Sequence, residues 1–265
     1  MPHFRVNPSA ALLACLLLCA CAGVQPAGPA AETPAEDSPY AQKIVDRAAE
    51  AVARLSAEDK DGMLPEFLAK AKGALVFPGV FKASFFWGVQ GGMGVLLARN
   101  ATGEWSAPAF YSLGGGSIGL QIGLKETAML FVFVDQDVFR ETIRSGLTFD
   151  TGVSFAVMNV GGSRQSGSLG EQRDIYCFTE AVGLYVGTSL TGGFLESADS
   201  LNRAYYGRPD VTPRDILLDR RVDREGASAL KRALDAAAVP KKKEEHKEDR
   251  PADEASKKAG QTPAP

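Results

Sequence analysis

Gly88-Val89-Gln90-Gly91-Gly92-Met93-Gly94-Val95-Leu96-Leu97 is the stretch that decides the fold class. Val89, Gly91, Met93, Val95 and Leu97 fall on one side of a two-residue period, and Gly88, Gln90, Gly92, Gly94 and Leu96 on the other. Side chains alternate across a strand, so the stretch reads as β-structure. Glycine inside a strand weakens pairing and marks a bulge, sharp curvature or a close backbone approach. With 28 glycines in 265 residues, many of them in such stretches, the sequence predicts a strongly curved antiparallel sheet or barrel-like core.

Working outward, the two-residue period begins at Gly73. Asn100-Ala101-Thr102-Gly103 is a turn, and Trp105–Leu113 returns as a strand. Further strands are predicted over Ile118–Leu124, over Leu147–Val157, near 173–179 and near 182–190, with a loop from Gly161 to Gly170. The unbroken apolar run Met129–Val134 predicts a strand buried on both faces. Helices flank the sheet. Ile44, Ala48, Val52 and Leu55 recur at helical spacing over 40–56, opposite Lys43, Asp46, Arg47, Glu50 and Arg54. That mixed polar face suits packing on a core better than lying on a membrane. Other helices are predicted over 63–72, over 135–145 closed by Gly146, and over 195–206, 213–221 and 226–238. Thr212, Pro213 and Asp215 supply cap, first-turn proline and capping-box acid. The class is α+β.

The chain ends read differently. Residues 1–20 have a basic Arg5 and an apolar run from Ala10, too short to span a bilayer. Leu18-Cys19-Ala20-Cys21 resembles a bacterial lipobox, which implies a signal peptide cut before a fatty-acylated Cys21, with Cys19 as the alternative. Residues 21–39, with Pro26, Pro29, Pro34 and Pro39, read as an extended tether. Residues 40–239 form one globular unit, and the charged 240–265 a disordered tail. Ala22 follows the acylated cysteine; in enteric-type sorting an aspartate there retains a lipoprotein at the inner membrane. The expectation is therefore the periplasmic face of the outer membrane.

Composition excludes several functions. Residues 40–239 hold 21 Lys+Arg against 23 Asp+Glu, without the basic field that nucleic acid requires. The two histidines, His3 and His246, both lie outside that unit, so it has no imidazole base and no histidine ligand. Cys177 alone among the four cysteines lies within it. Gly115-Gly116-Ser117-Ile118-Gly119 matches a nucleophile elbow, but that chemistry needs a base and the unit has no histidine. Gly114–Gly119 matches a dinucleotide loop, but the strand period continues through Gly123 where that loop needs a helix. Asp135 and Asp137 read as a helix start rather than a catalytic pair. The reading is a non-enzymatic domain with no cofactor and no metal.

Several segments, in order, resemble the SYLF domain, a family also described as a yeast actin-patch or lipid-binding domain. They are Lys70-Ala71-Lys72-Gly73, Lys82-Ala83-Ser84, Gly91-Gly92-Met93-Gly94, Trp105-Ser106-Ala107-Pro108, Leu113-Gly114-Gly115-Gly116, Gln121-Ile122-Gly123, Gly183-Leu184-Tyr185-Val186-Gly187, Ser189-Leu190 and Tyr205-Tyr206-Gly207, spanning roughly 40–220. The resemblance implies phosphoinositide-type lipid binding through basic residues, carried here by Lys70, Lys72 and Lys82, with Arg164 beside the Asn159–Gly162 turn. Ala181-Val182 departs from a basic position of the pattern. Actin is not an expected partner, since a lipobox protein has no access to it. The expected partners are a membrane, through the anchor, and anionic phospholipid headgroups. The alternative is an envelope interaction protein that binds a protein partner through its glycine-rich sheet.

Overall fold

A computed structural model describes residues 34–84, 87–118, 123–149, 153–160, 173–180 and 192–240. Cys19, Cys21, Arg164, the 161–170 loop, the 182–190 strand, the leader and nearly all of the charged tail fall outside them.

The described residues build six helices and an eight-stranded curled sheet. The strands are β1 (Gly73–Ser84), β2 (Trp87–Ala98), β3 (Ala109–Ile118), β4 (Gly123–Phe133), β5 (Leu147–Thr148), β6 (Phe155–Asn159), β7 (Ile175–Thr179) and β8 (Phe194–Ser197). Their spatial order is β5-β8-β3-β2-β1-β4-β7-β6. Every pairing is antiparallel except β6 with β7, so the sheet is mixed where the sequence predicts an antiparallel one. Residues 160–174 supply the crossover length that a parallel pair needs.

The helices are α1 (Pro34–Glu58), α2 (Met63–Lys70), α3 (Gln136–Ser145), α4 (Asp199–Tyr206), α5 (Pro213–Leu217) and α6 (Ser228–Ala237), the last preceded by a 3-10 turn at Glu225–Ala227. They lie on both faces of the sheet. Along β1, Ala74 and Val76 join a core formed with α1, α2, α4 and α6, which adds Val52, Leu55, Leu64, Leu68, Leu201, Tyr205, Leu230 and Leu234. Leu75 and Phe77 join a second core formed with α3 and α5, which adds Phe139, Ile143, Ile216 and Leu217. Met129–Phe133 alternates between the same two cores, so the predicted strand buried on both faces is found. Gly94 shows why this sheet spends glycine: a Cβ there would stand 2.5 Å from the Val76 carbonyl oxygen and press on the Phe77 ring.

Several boundaries differ from the sequence reading. The helix predicted over 213–221 ends at Leu217, and of the strand predicted over Ile118–Leu124, Ile118 belongs to β3 and Gly123–Leu124 to β4. The first helix starts at Pro34 rather than residue 40, with the proline in the first turn, where its missing N–H costs little. Leu147–Val157 is not one strand: β5 pairs β8 at one edge of the sheet and β6 pairs β7 at the other. The helix predicted from residue 195 starts at Asp199, because Phe194–Ser197 pairs with Gly114–Tyr111 as β8. For β5, β6 and β8 sheet pairing, a non-local interaction, overrides the local pattern. Asp135 caps α3, accepting from the N–H groups of Asp137 and Val138 at 2.9 and 2.8 Å. Thr212 and Asp215 form the predicted capping box.

The central strand carries one irregularity. Between Val76 and Phe81 its register against β2 slips by one residue, and between Phe77 and Val80 it slips likewise against β4. The extra residue belongs to Phe77-Pro78-Gly79-Val80. Proline cannot donate to a ladder, so a central strand accepts it only at a bulge. Val76 thus faces α1, while Phe77 and Val80 both face the opposite core.

Candidate functional site: a basic groove at the strand bulge

The bulge opens a groove against α1. Tyr40, Lys43, Ile44 and Arg47 line it from the helix, Pro78 and Gly79 from the bulge and Met93 from β2, around a pocket of about 160 Å³. Spacings of three and four residues put the four helix residues on one stripe. Ile44 turns into the core, while Lys43 and Arg47 are exposed and Tyr40 is 52% exposed. Arg47 donates from a guanidinium nitrogen to Glu126 Oε1 at 2.6 Å. That carboxylate lies over Gly79, where a Cβ would fall 1.9 Å from its oxygen. Phe81, directly across the ladder from Glu126, is 46% exposed. Two cations, a half-exposed phenol and a half-exposed phenyl ring therefore share one surface. Such a surface offers charge to an anion and apolar area beside it.

The lysines singled out from the sequence do not form one patch. Lys70 ends α2, pairs with Glu66 at 2.8 Å and stands 5.9 Å from the Phe67 ring centre. Lys72 is exposed, and its backbone ties Phe133 to Arg99. Lys82 occupies the other end of β1, in register with Gln90 on one side and Lys125 on the other. Nine strand residues, 73–81, separate it from Lys72, about 30 Å. Lys43 and Arg47 read from the sequence as part of a solvated helix face. The sequence signal that bears on the groove is Pro78-Gly79 within a strand pattern, which marks the bulge.

Other chemistry-bearing groups have structural roles. Cys177 is fully buried in β7, and desolvation pushes its thiol well above the ordinary range, so it stays a protonated, inert core residue. Ser117 lies within β3, which runs on to Ile118 without the strand-to-helix turn of a nucleophile elbow. Tyr205 is pushed up to about 12, chiefly by burial, with its ring under Arg224. Among the described residues no group of histidine, cysteine, aspartate or glutamate is arranged to hold a metal ion. No described helix is long and apolar enough to cross a membrane.

Comparison with known proteins points one way. Residues 114–237 match the family described as "Ysc84: Las17-binding protein actin regulator". The chain is 30% identical over 155 residues to "SH3 domain-containing YSC84-like protein 1" of Xenopus laevis, covering 58% of this chain and 46% of the relative. It is 27% identical over 190 residues to "Protein YSC84" of Saccharomyces cerevisiae, covering 70% and 40%. It is 29% identical over 178 residues to "LAS seventeen-binding protein 3" of the same yeast, covering 66% and 38%. The chain thus spans less than half the length of these relatives. The family match starts in β3, so α1, α2, β1 and β2 precede it, and of the groove's surroundings only Glu126 lies within it.

Proposed function

With residues 114–237 belonging to the Ysc84 (SYLF) family as the premise, we propose that this is a non-enzymatic binding domain that contacts anionic phospholipid headgroups. The observation that carries the reading is the bulge groove, where Lys43 and Arg47 stand beside Tyr40 and Phe81. Lys70, Lys72, Lys82 and Arg164 are the further cations that the resemblance offers to an anionic headgroup, and Lys70 and Lys72 lie outside the groove lining. Cys21 holds the chain at the cell envelope through its acyl chains, on the periplasmic face of the outer membrane. The tether keeps the domain near that surface, where even weak contacts engage. A second reading, a protein partner held by the glycine-rich sheet, is favoured by the family's description, which names a binding protein.

Flotation on mixed phosphatidylglycerol and phosphatidylcholine vesicles separates the two. The sample is the full chain with Cys19→Ser and Cys21→Ser, which removes the anchor. At about 1 kcal/mol per cation near an anionic surface, Lys43→Ala with Arg47→Ala weakens binding roughly thirtyfold. The attraction also falls as added salt shortens the screening length. A chain that stays in the soluble fraction on these vesicles at low salt rules out headgroup binding. In cells, Cys21→Ser releases the protein from the membrane fraction, and full retention rules out that anchor.

A further inference from the structure

The pairing register lines up five residues across five strands: Phe194 on β8, Gly114 on β3, Gly91 on β2, Phe81 on β1 and Glu126 on β4. Residues opposite one another in a ladder share a face. Glu126 meets Arg47, so the row lies on the α1 face. Its two aromatic members are exposed, Phe81 at 46% and Phe194 at 41%. The Phe194 ring folds over Gly114, where a Cβ would stand 2.5 Å from Cζ. A Cβ at Gly91 would meet, among the described residues, only the Leu113 carbonyl oxygen, at 3.4 Å. The row is therefore a slot one strand wide, floored by Gly91 and walled by two phenyl rings. Its walls rise from β8 and β1, three strand spacings or about 14 Å apart, and the Phe194 ring leans in over Gly114 on β3, two spacings or about 10 Å from β1. That spacing admits one polymethylene chain, about 4 Å across at van der Waals contact.

The slot runs into the basic groove. Met93, two residues along β2 and on the same face, lines that groove with Lys43 and Arg47. The backbone around Gly91 is already paired, β2 to β1 on one side and to β3 on the other, so no peptide can add there as a strand. What the slot offers is apolar contact with cations at one end, which complements a molecule with an apolar tail and an anionic head. We propose that it receives one acyl chain of the anionic lipid whose headgroup sits at Lys43 and Arg47. This rests on the headgroup reading above.

The test uses the unacylated full chain and two soluble probes, dodecyl phosphate below its micelle concentration and butyl phosphate, titrated by calorimetry. Dodecyl phosphate is expected to bind at least about tenfold more tightly, the tail supplying the difference. Gly91→Leu fills the slot, and no left-handed backbone strains it there. It is expected to abolish the dodecyl advantage while leaving butyl phosphate affinity and the melting temperature unchanged. Phe81→Ala with Phe194→Ala is expected to reduce the same advantage. Lys43→Ala with Arg47→Ala is expected to weaken both probes. Equal affinity for the two probes, or a dodecyl advantage that survives Gly91→Leu, overturns the slot and leaves the headgroup reading standing. Binding of neither probe overturns both. A dimer in the wild type that Gly91→Leu dissociates assigns the slot to a second copy and overturns the lipid assignment.

Discussion

Glu126 already occupies the guanidinium that the proposed headgroup site would use. Its carboxylate lies 2.6 Å from Arg47 and is seated over Gly79, where no side chain competes for the space. An exposed pair of this kind contributes little to stability, so replacing one partner leaves the fold intact. The same pair competes with any incoming phosphate for Arg47. Glu126→Gln keeps the shape and removes the charge. It is expected to strengthen binding to phosphatidylglycerol vesicles several-fold at low salt, with an unchanged melting temperature. Flotation across a salt series checks this, and unchanged or weaker binding removes Glu126 as a competitor.

At the scale of elements, α4 is held to β3 by one buried amide. Asn202 is fully buried, accepts from the Phe110 N–H at 2.8 Å, and donates to the Phe110 carbonyl at 3.3 Å and to Ser197 Oγ at 3.2 Å. A side chain without that amide leaves the buried Phe110 N–H unpaired, at about 1–3 kcal/mol, while the Phe110 carbonyl keeps the Ala198 N–H at 2.9 Å. Asn202→Leu is expected to lower stability by about 1–3 kcal/mol in urea unfolding, and a change under about 0.5 kcal/mol would contradict it. A second clasp joins α2 to α6. Arg99 donates to the Leu68 carbonyl at 2.6 Å and lies over Trp105, whose indole N–H donates to Asp235 at 2.9 Å.

At the scale of the molecule, the buried Tyr111 and Tyr205 and the half-buried Tyr206 set the alkaline limit. Burial raises Tyr111, Tyr206 and Tyr205 above their ordinary value of 10.0, Tyr205 to about 12. The unfolded chain ionises them near pH 10 while the folded chain keeps them protonated. Their contribution is therefore complete below pH 10 and is lost as the pH climbs from there towards the folded values. Thermal melting is expected to be flat from pH 8 to about pH 9.5 and to fall steeply towards pH 11. Tyr205→Phe is expected to lessen that fall, and an identical fall in the variant assigns the alkaline loss to other groups.

Much of this was legible locally. The period-two glycine stretches gave the sheet, the spacing of Ile44, Ala48, Val52 and Leu55 gave α1, and Asp135 and Thr212 gave two caps. These signals depend on residues within a few positions of one another, which the sequence records directly. The order of segments also carried the family resemblance, now matched over 114–237. The tertiary structure decided the rest. It sent Leu147–Thr148 and Phe155–Asn159 to opposite edges of the sheet and placed helices on both faces. It put Lys72 just before β1 and Lys82 near that strand's other end, although the resemblance gives both to lipid binding. It built the groove from residues 40–47, 78–79 and 93 and brought Glu126 beside it, and it aligned Phe81 with Phe194 across four strands. Those juxtapositions follow from ladder register and from one extra residue at Pro78-Gly79. A one-residue slip exchanges the faces of every side chain beyond it.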